Sequence, residues 1–470
     1  MQKLQKSKTT FALYFGNRGF FPGELIADAR EEMTAAVRQS GCDCILMDES
    51  ATRFGAVETA LEGQKYAAFL KENEGRYDGV ILCLPNFGDE NGAIAALRDC
   101  GVPILIQAYP DEIGKMDFDH RRDSYCGKFS IMDVFTQFGL PFTVFEPHTA
   151  HPLSSDFARN IRDFAAVCRV VGGMKRFTVG AIGARTTKFM TVRFDELALQ
   201  KYGITVKAFD LSELFARVRK IDVAQKVDEK IHWLKAYTDF SRIPENKIGT
   251  LAKTALAIED MIAEYELDCV SLRCWPELQS ELGIAPCVLL GALNDAGIAA
   301  SCEMDVCNAA AMRALSLASA QPAACLDWNN NYGNHPDKCI LFHCGPVARG
   351  LMEPGGGVGN HKMLTKNADP NCGWGCDEGR ISAMDMTYAS GRTDNGKFYV
   401  YTGKGAFTGE PIESEFFGCG GVAEIENLQK KLLYIGKNGY RHHVSVTRGD
   451  CLNAVNEAFE TYLGYENTRL

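Results

Sequence analysis

The sequence lacks the features that mark membrane, secreted and zinc-finger proteins. It has no apolar run of about 18 residues, the length that a membrane-spanning helix needs. Its N-terminus is charged and has no apolar stretch of signal-peptide length. The 18 cysteines are dispersed and none forms a Cys-x-x-Cys pair, so they indicate neither a disulfide framework nor a structural zinc site. We therefore expect a cytoplasmic protein whose cysteines are reduced.

Dense basic runs and nucleotide-binding motifs are also missing. The net charge of −10 and the scattered lysines and arginines argue against nucleic acid or an anionic membrane as a partner. No Gly-x-Gly-x-x-Gly follows an early β-type run, and Pro354–Gly359 lacks the Gly-Lys-Ser/Thr ending of a phosphate loop. The expected partner is therefore a small solute.

What the chain does contain is typical of a large globular protein. Hydrophobic residues make up 46% of its 470 residues and charged residues 23%, which is enough apolar sequence for several domains. The first part alternates β-rich apolar runs with segments of helical periodicity, a pattern that predicts βαβ units and a parallel sheet. The predicted strands are Thr10–Phe15, Asp43–Met47, Gly79–Leu84 and Val102–Gln107, and the predicted helices are Glu24–Ser40 and Glu58–Glu72.

The rest of the chain predicts a second domain of the same kind and then a β-rich one. Strand-like runs at Phe177–Ile182 and Cys269–Cys274 flank a long charged stretch with helical periodicity. From about Arg349, glycine clusters separate short β-type runs. We predict two parallel-sheet α/β domains followed by a β-rich C-terminal domain, with bounds of 1–172, 173–348 and 349–470.

Three polar residues stand at the ends of predicted buried strands. Glu303, Asp327 and His343 each follow or end a short apolar run. Burying carboxylates costs several kcal/mol unless a positive group compensates them, and a metal ion is an effective compensator. Carboxylate and imidazole ligands suit a divalent ion such as Mn²⁺, and carboxylates suit Mg²⁺. Any one of these residues could simply be solvated or hydrogen-bonded, but the three together predict a metal site.

Several motifs resemble the L-fucose isomerase and L-arabinose isomerase superfamily, in order along nearly the whole chain. They are Ala300–Met312 (ASCEMDVCNAAAM), the CLDW that contains Asp327, and Arg441–Val444 (RHHV). The early NFGDE, AYPDE and RDSYCG segments are similar to the shorter, fucose isomerase-related members. No single motif is specific, and the ordered set carries the resemblance.

The resemblance implies a divalent ion, usually Mn²⁺, with Mg²⁺ or Co²⁺ as alternatives. Its ligands would be Glu303, Asp327 and His443. His343 matches an additional histidine that the arabinose isomerases use, so it stays open as a fourth ligand. His442 stays open as an alternative to its neighbour His443. The family also implies a homo-oligomer, either a trimer or a hexamer.

Glu303 and Asp327 are also the expected catalytic pair. An aldose–ketose isomerase removes a proton beside a carbonyl and returns one to the adjacent carbon, while a divalent ion stabilises the enediolate charge. The resemblance implies this cis-enediol route, and a hydride shift is the alternative. Arg185 and its neighbour Lys188 are candidates for binding an anionic group of the substrate. The residues expected to bind the sugar are Arg18, Asn86, Arg185, Trp275, Glu277 and His442.

The expected substrate is a monosaccharide. The family implies L-fucose, D-arabinose or L-arabinose, and a sulfonated hexose such as sulfoquinovose is a further option because its isomerases resemble this group. Two other functions stay open at this point. One is a cytosolic sugar-binding regulator without catalysis, and the other is a metal-dependent epimerase or aldolase, which also stabilises an enediolate.

Overall fold

The computed structural model describes residues 8–366, 369–412 and 416–470. They form two compact units, the first made of residues 8–172 with 457–463 and the second of residues 173–456 with 464–470. The predicted division at 172 and 348 stays a prediction. None of the helices in the described ranges is long and apolar enough to cross a membrane.

The first unit is built on a four-stranded parallel sheet with the order β2-β1-β3-β4. Its strands are almost continuous apolar runs, as expected for a parallel sheet covered on both faces, and every residue of Gly79–Leu84 is buried. The strands are β1 (Thr10–Phe15), β2 (Asp43–Leu46), β3 (Gly79–Leu84) and β4 (Ile104–Ala108), and the helices are α1 (Leu25–Gln39), α2 (Ala60–Glu72), α3 (Glu90–Leu97), α4 (Ser124–Gln137) and α5 (Ser155–Met174).

The second unit begins with another four-stranded parallel sheet, of order β6-β5-β7-β8. The long charged stretch between its second and third strands forms three separate helices, because the chain is interrupted near Asp222 and at Pro244. The strands are β5 (Phe177–Ile182), β6 (Ile204–Phe209), β7 (Cys269–Leu272) and β8 (Ala299–Cys302), and the helices are α6 (Glu196–Lys201), α7 (Leu211–Lys220), α8 (Ala224–Tyr237), α9 (Glu245–Glu264), α10 (Glu277–Leu282), α11 (Cys287–Asp295) and α12 (Val306–Ser319).

A nine-stranded sheet completes the second unit, and six of its strands close on themselves as an antiparallel barrel. The closing contact is between β14 and β15. The strands are β9 (Ala323–Asn331), β10 (Lys338–His343), β11 (Gly357–Asn360), β12 (Trp374–Arg380), β13 (Met384–Asp394), β14 (Lys397–Phe407), β15 (Cys419–Glu424), β16 (His443–Arg448) and β17 (Glu466–Arg469), with helices α13 (Lys362–Thr365), α14 (Leu428–Lys437) and α15 (Leu452–Glu457). The π-helical turn at Ala458–Leu463, which follows α15, belongs to the first unit. The predicted fold class is confirmed.

Strand register in the barrel brings distant parts of the chain together. Asp327 of β9 lies opposite His443 of β16 on one side and opposite Phe342 of β10 on the other. Helix α12 packs against β8 and against β9, β13 and β16, so it joins the parallel sheet to the barrel. The residue that caps its N-terminus is Asp305, two residues after Glu303.

Candidate active site

Glu303 occupies a tight turn between β8 and α12. Both Glu303 and Met304 have left-handed backbone conformations, with φ of 60° and 65°. Residues other than glycine adopt this conformation only where the surrounding structure enforces it, often at functional sites. The Glu303 carboxylate accepts a hydrogen bond from Trp275 Nε1–H at 2.9 Å through one oxygen, and the other oxygen lies 3.0 Å from His443 Nε2.

Asp327 lies on the other side of the same histidine. Its Oδ1 atom is 3.4 Å from His443 Nε2 and 3.5 Å from His442 Nε2. This oxygen is buried, yet it accepts no hydrogen bond from the residues that the structure describes. A buried carboxylate oxygen without a partner is costly, so the position is suited to a cation. The structure thus brings the three predicted ligands together around His443 Nε2.

A third carboxylate, that of Asp305, contacts Nδ1 of His443, the ring nitrogen that does not face Glu303 and Asp327. The Nδ1–H group of His443 donates to Asp305 Oδ2 at 2.8 Å, and Arg441 forms an ion pair with Oδ1. Asp305 is fully buried, which would raise its pKa, but the charges of Arg441 and His443 hold that pKa well below its usual range. A carboxylate on one ring nitrogen is the usual arrangement behind a metal-binding histidine, because it leaves the other nitrogen free as a ligand.

The charges of this cluster favour an added cation. Burial opposes ionisation of Glu303, but the hydrogen bond with His443 and the charges of His343 and His443 lower its pKa to about 2. The negative charge of three carboxylates, those of Glu303, Asp305 and Asp327, is therefore balanced by the Arg441 guanidinium and by the positive charge of the histidines. When His443 is neutral, as a metal-binding imidazole must be, the negative charge is in excess, and a divalent ion between Glu303 and Asp327 would balance it.

Among the described residues, three overlapping sets of side chains could hold a metal ion, with ligand atoms in each set within 4.8 Å of one another. Because they share members, they describe one region rather than three sites. Carboxylate oxygens with imidazole nitrogen suit Mn²⁺ or Co²⁺, and the carboxylates suit Mg²⁺. The sets are Cys302–Glu303–His343, Glu303–His442–His443 and Asp327–His343–His443.

The two histidines that the sequence left open differ in their surroundings. His343 is buried; its Nδ1 accepts the backbone N–H of Cys344 at 2.8 Å, and its Nε2 lies 3.1 Å from Cys302 Sγ. The His442 side chain is 41% exposed, and its ring is tilted against that of His443, with ring centroids 4.5 Å apart. Burial and the charge of His443 lower the pKa of His442.

Aromatic rings border the cluster. The Phe189 ring centroid is 5.4 Å from that of His442, 6.0 Å from that of His443 and 6.1 Å from that of Trp275. Trp275, a predicted sugar-binding residue, lies beside Glu303, and its role in binding sugar stays a prediction. An apolar wall next to a polar cluster is the usual construction of a small-molecule site.

Three further candidates belong to the same unit and differ in how many of their polar atoms are already hydrogen-bonded. They are Arg185, Lys188 and Glu277. Arg185 Nη1 donates to the backbone carbonyl of Phe189 at 2.9 Å, so Arg185 braces the loop that carries that ring. Lys188, three residues later in the chain, is exposed. Both oxygens of the Glu277 carboxylate are already paired with the Arg273 guanidinium, through its Nε and Nη2 atoms.

Arg18 and Asn86 belong to the first unit and contact each other there. The Arg18 backbone N–H donates to Asn86 Oδ1 at 3.3 Å, and the Arg18 guanidinium is ion-paired with Glu90. Arg18 also lies over the Phe87 ring, 4.3 Å from its centroid. Both follow the carboxyl ends of neighbouring strands, β1 and β3, where the strand order of this sheet reverses and where open α/β sheets bind ligands.

Sequence reasoning gave no role to three residues that build the site. Asp305 had a detectable signal, because an aspartate just before an apolar helix is a typical N-cap and its side chain accepts from Asn308 N–H. Arg441 adjoins the late histidines, but no pattern connects it to Asp305. Phe189 has no sequence signal, since its position depends on the conformation of a loop.

Two family models match the chain. Residues 12–175 match the N-terminal domain of fucose/sulfoquinovose isomerase, and residues 341–469 match the C-terminal domain of L-fucose isomerase. A periplasmic solute-binding protein of an ABC transporter from Actinobacillus succinogenes 130z, solved with D-allose, covers 67% of this chain and 93% of its own. Its sequence identity is 13% and its TM-score 0.18, which is too low to support any conclusion.

Sequence relatives extend the match between the two models. A sulfoquinovose isomerase from Priestia aryabhattai is 23% identical over 90% of this chain and 91% of its own length. One from Alkalicoccus urumqiensis is 21% identical over 83% of this chain and 86% of its own length. The two models together match more than half of the chain, and the relatives cover the segment between them. The chain therefore belongs to the fucose isomerase-related family of aldose–ketose sugar isomerases.

Proposed function

We propose that this sugar isomerase depends on a divalent ion, acts through a cis-enediol, and converts a sulfonated hexose aldose of the sulfoquinovose type into its ketose. One observation above all supports metal dependence. Glu303 and Asp327 converge on His443 Nε2, and Asp305 holds the opposite nitrogen of that ring. The names of the relatives support the substrate class. L-Fucose, D-arabinose and L-arabinose are the neutral alternatives.

Glu303, Asp327 and His443 would hold the ion, with Mn²⁺ as the preferred species and Mg²⁺ or Co²⁺ as substitutes. When bound, it would polarise the carbonyl and hydroxyl oxygens of the sugar and stabilise the enediolate charge. Asp305 keeps the His443 ring oriented, and Trp275 Nε1–H holds one Glu303 oxygen so that the other faces the site.

The carboxylates carry the protons. Glu303, held ionised at neutral pH, accepts the proton from C2 of the aldose, and a carboxyl group returns a proton to C1. The proton of the C2 hydroxyl moves to the former aldehyde oxygen, with Asp327 as the proposed carrier. Atoms and charge balance, so no co-reactant is needed.

Substrate recognition combines an apolar wall with cations. Phe189 and Trp275 would pack against an apolar face of the sugar, and Lys188, with the remaining donors of Arg185, would bind the sulfonate. His442, Glu277, Arg18 and Asn86 stay proposals as further sugar-binding residues, as does the assembly into a trimer or hexamer.

A screen of aldoses tests the proposal. The Mn²⁺-loaded protein is incubated with neutral and anionic aldoses, and ketose is measured; the sulfonated hexose should react and chelation should abolish the reaction. In D₂O, the enediol route predicts solvent deuterium at C1 of the ketose, whereas a hydride shift predicts none. Full activity of Glu303→Gln would contradict the mechanism, and bound sugar without turnover would indicate a regulator. An epimeric aldose or a cleaved product would indicate the epimerase or aldolase.

A further inference from the structure

Three cysteine side chains of the second unit form a cluster centred on Cys287. The Cys287 thiol is hydrogen-bonded to the thiols of Cys344 and Cys376. Cys376 Sγ also donates to the backbone carbonyl of Cys344, at 2.7 Å. All three are free cysteines. Because thiols in contact can be joined by a two-electron oxidation, the cluster is a place where a disulfide can form.

The backbone beside two of these thiols is also closely packed. Cys287 is the first residue of α11, and Cys344 directly follows β10. A β-carbon placed on Gly345, the next residue, would lie 3.1 Å from the β-carbon of Cys287. A disulfide needs its two sulfur atoms about 2.05 Å apart, so thiols already in contact have to approach by only about 2 Å.

Solvent reaches one member of the cluster more easily than the others. Cys344 is partly exposed, whereas Cys287 and Cys376 are buried. Contact with Cys287 and burial raise the pKa of the Cys344 thiol, so we expect it to react more slowly than an exposed thiol of ordinary pKa. A small oxidant would meet Cys344 first, with the Cys287 thiol in place to resolve the product.

We propose that hydrogen peroxide joins Cys287 and Cys344 in a disulfide that reversibly inactivates the isomerase. The Cys344 sulfur attacks one peroxide oxygen, the O–O bond breaks, and a sulfenic acid and one water form. The Cys287 sulfur then attacks the Cys344 sulfur, whose S–O bond breaks with release of a second water. In total the two thiols lose two electrons and two protons, and one peroxide is reduced to two waters.

The new bond would disturb the site because Cys344 adjoins it. Cys344 Sγ lies 3.2 Å from His343 Nδ1, and the ring centroids of His343 and His443 are 5.6 Å apart. Phe342, at the same end of β10, lies opposite Asp327. Drawing Cys344 towards α11 would therefore displace the end of β10 beside two proposed metal ligands. The expected loss of activity rests on the proposed function, whereas formation of the bond does not.

Mapping of disulfides by mass spectrometry tests both parts. The Mn²⁺-loaded protein is treated with hydrogen peroxide, the remaining thiols are blocked, and the digest is searched for peptides linked through Cys287 and Cys344. We expect the linked peptides to appear while kcat/KM for the reactive aldose falls about 10- to 100-fold, the effect of a displacement of about 1 Å in an active site. Dithiothreitol should remove the link and restore activity.

Variants separate this disulfide from other oxidation. Cys287→Ser and Cys344→Ser should each form no linked peptides, and each should keep the kcat/KM that it had before treatment; Cys287→Ala replaces Cys287→Ser if the latter does not fold. The matched control is Cys126→Ser, because Cys126 is exposed and its Sγ contacts a backbone carbonyl, that of Asp123. This control should be inactivated like the native protein.

Three results would count against the disulfide as an inactivating switch. Peptides linked through Cys287 and Cys376, or no linked peptides in the native protein, would overturn the pairing. Equal inactivation of Cys287→Ser and of the native protein would show that the bond is not the cause. By contrast, linked peptides from a protein that isomerises no aldose would confirm the pairing and contradict the proposed function instead.

Discussion

The two parallel sheets each carry a polar cluster where their strands end, but the charges of the two clusters are balanced differently. In the first unit the Arg18 guanidinium is paired with Glu90, and Asn17 and Asn86 bond to each other. In the second unit the carboxyl groups outnumber the arginine, and a buried Asp327 oxygen has no hydrogen-bond partner among the described residues. Position at the end of a sheet is therefore common to both, and the buried carboxylate oxygen without a partner distinguishes the proposed metal site from the cluster of the first unit.

The largest expected effect comes from removing the charge of the Glu303 carboxylate. Glu303→Gln keeps the shape of the side chain but removes a carboxylate that would bind the ion and move the proton. We expect kcat/KM to fall about 1,000-fold or more, with circular dichroism unchanged. The comparison would fail if Glu90→Gln in the first unit lowered Mn²⁺ content as much as Glu303→Gln does.

A buried carboxylate outside both clusters, that of Asp377, shows whether burial alone makes a carboxylate bind Mn²⁺. Asp377 is fully buried, its nearest cation is Arg349 at 3.4 Å, and burial raises its pKa to about 7. A pKa raised in the folded state means that the fold binds the proton more tightly, so stability falls as pH rises from about 4 to above 7. Asp377→Asn should abolish that loss, which is worth about 4 kcal/mol at pH 8.

Melting temperatures from pH 5 to pH 8 measure this effect. The native protein should lose stability across the range relative to Asp377→Asn, and Mn²⁺ content should stay the same in both. Parallel curves would contradict the raised pKa, and a loss of metal would show that Asp377 is connected to the site.

Changing Asp305, whose carboxylate accepts a hydrogen bond from His443, should have a smaller effect. Asp305→Asn can still accept a hydrogen bond, but it can also donate one and thereby favour the wrong tautomer of His443. We expect Mn²⁺ affinity to fall about 10- to 100-fold, as measured by calorimetry. Unchanged affinity would mean that His443 does not need this carboxylate to act as a ligand.

The smallest effect is expected from a change in the polar cluster of the first unit, where Arg18 is paired with Glu90. Arg18 and Glu90 are both partly exposed, so Glu90→Gln should cost about 1 kcal/mol of stability or less. Mn²⁺ affinity should not change, and denaturant unfolding measures the cost. A loss of several kcal/mol would mean that this cluster supports the fold more than its charge balance indicates.

The sequence predicted the parallel sheets well because their strands are short, buried apolar runs. Thr10–Phe15, Gly79–Leu84 and Phe177–Ile182 have the predicted bounds, and the strand predicted from Val102 begins at Ile104, just after a proline. The barrel was harder to predict. Its strands pair across more than a hundred residues, as Asp327 does with His443, and no local pattern records such a pairing.

The site was predictable to the extent that its residues follow buried strands. Glu303 directly follows β8, as predicted from its strand-end position. The same prediction was wrong for Asp327, which lies in the middle of β9, where the buried part of the strand ends and the strand itself continues to Asn331. His443 depended on family resemblance. The left-handed turn at Glu303 and the contact of Arg441 with Asp305 depend on tertiary packing. The hydrogen bond between His443 and Asp305 likewise depends on which group lies behind the ring, which a sequence does not reveal.

The pairing of β9 with β16 limits how relatives of this enzyme can diverge. Side chains alternate between the two faces of a strand, so inserting or deleting one residue within either strand would turn Asp327 or His443 to the opposite face. Loops between barrel strands can vary in length without this penalty. Functional members of the family should therefore place length changes in the loops, and a relative with an odd-numbered gap inside either strand should be inactive even if all ligand residues are retained.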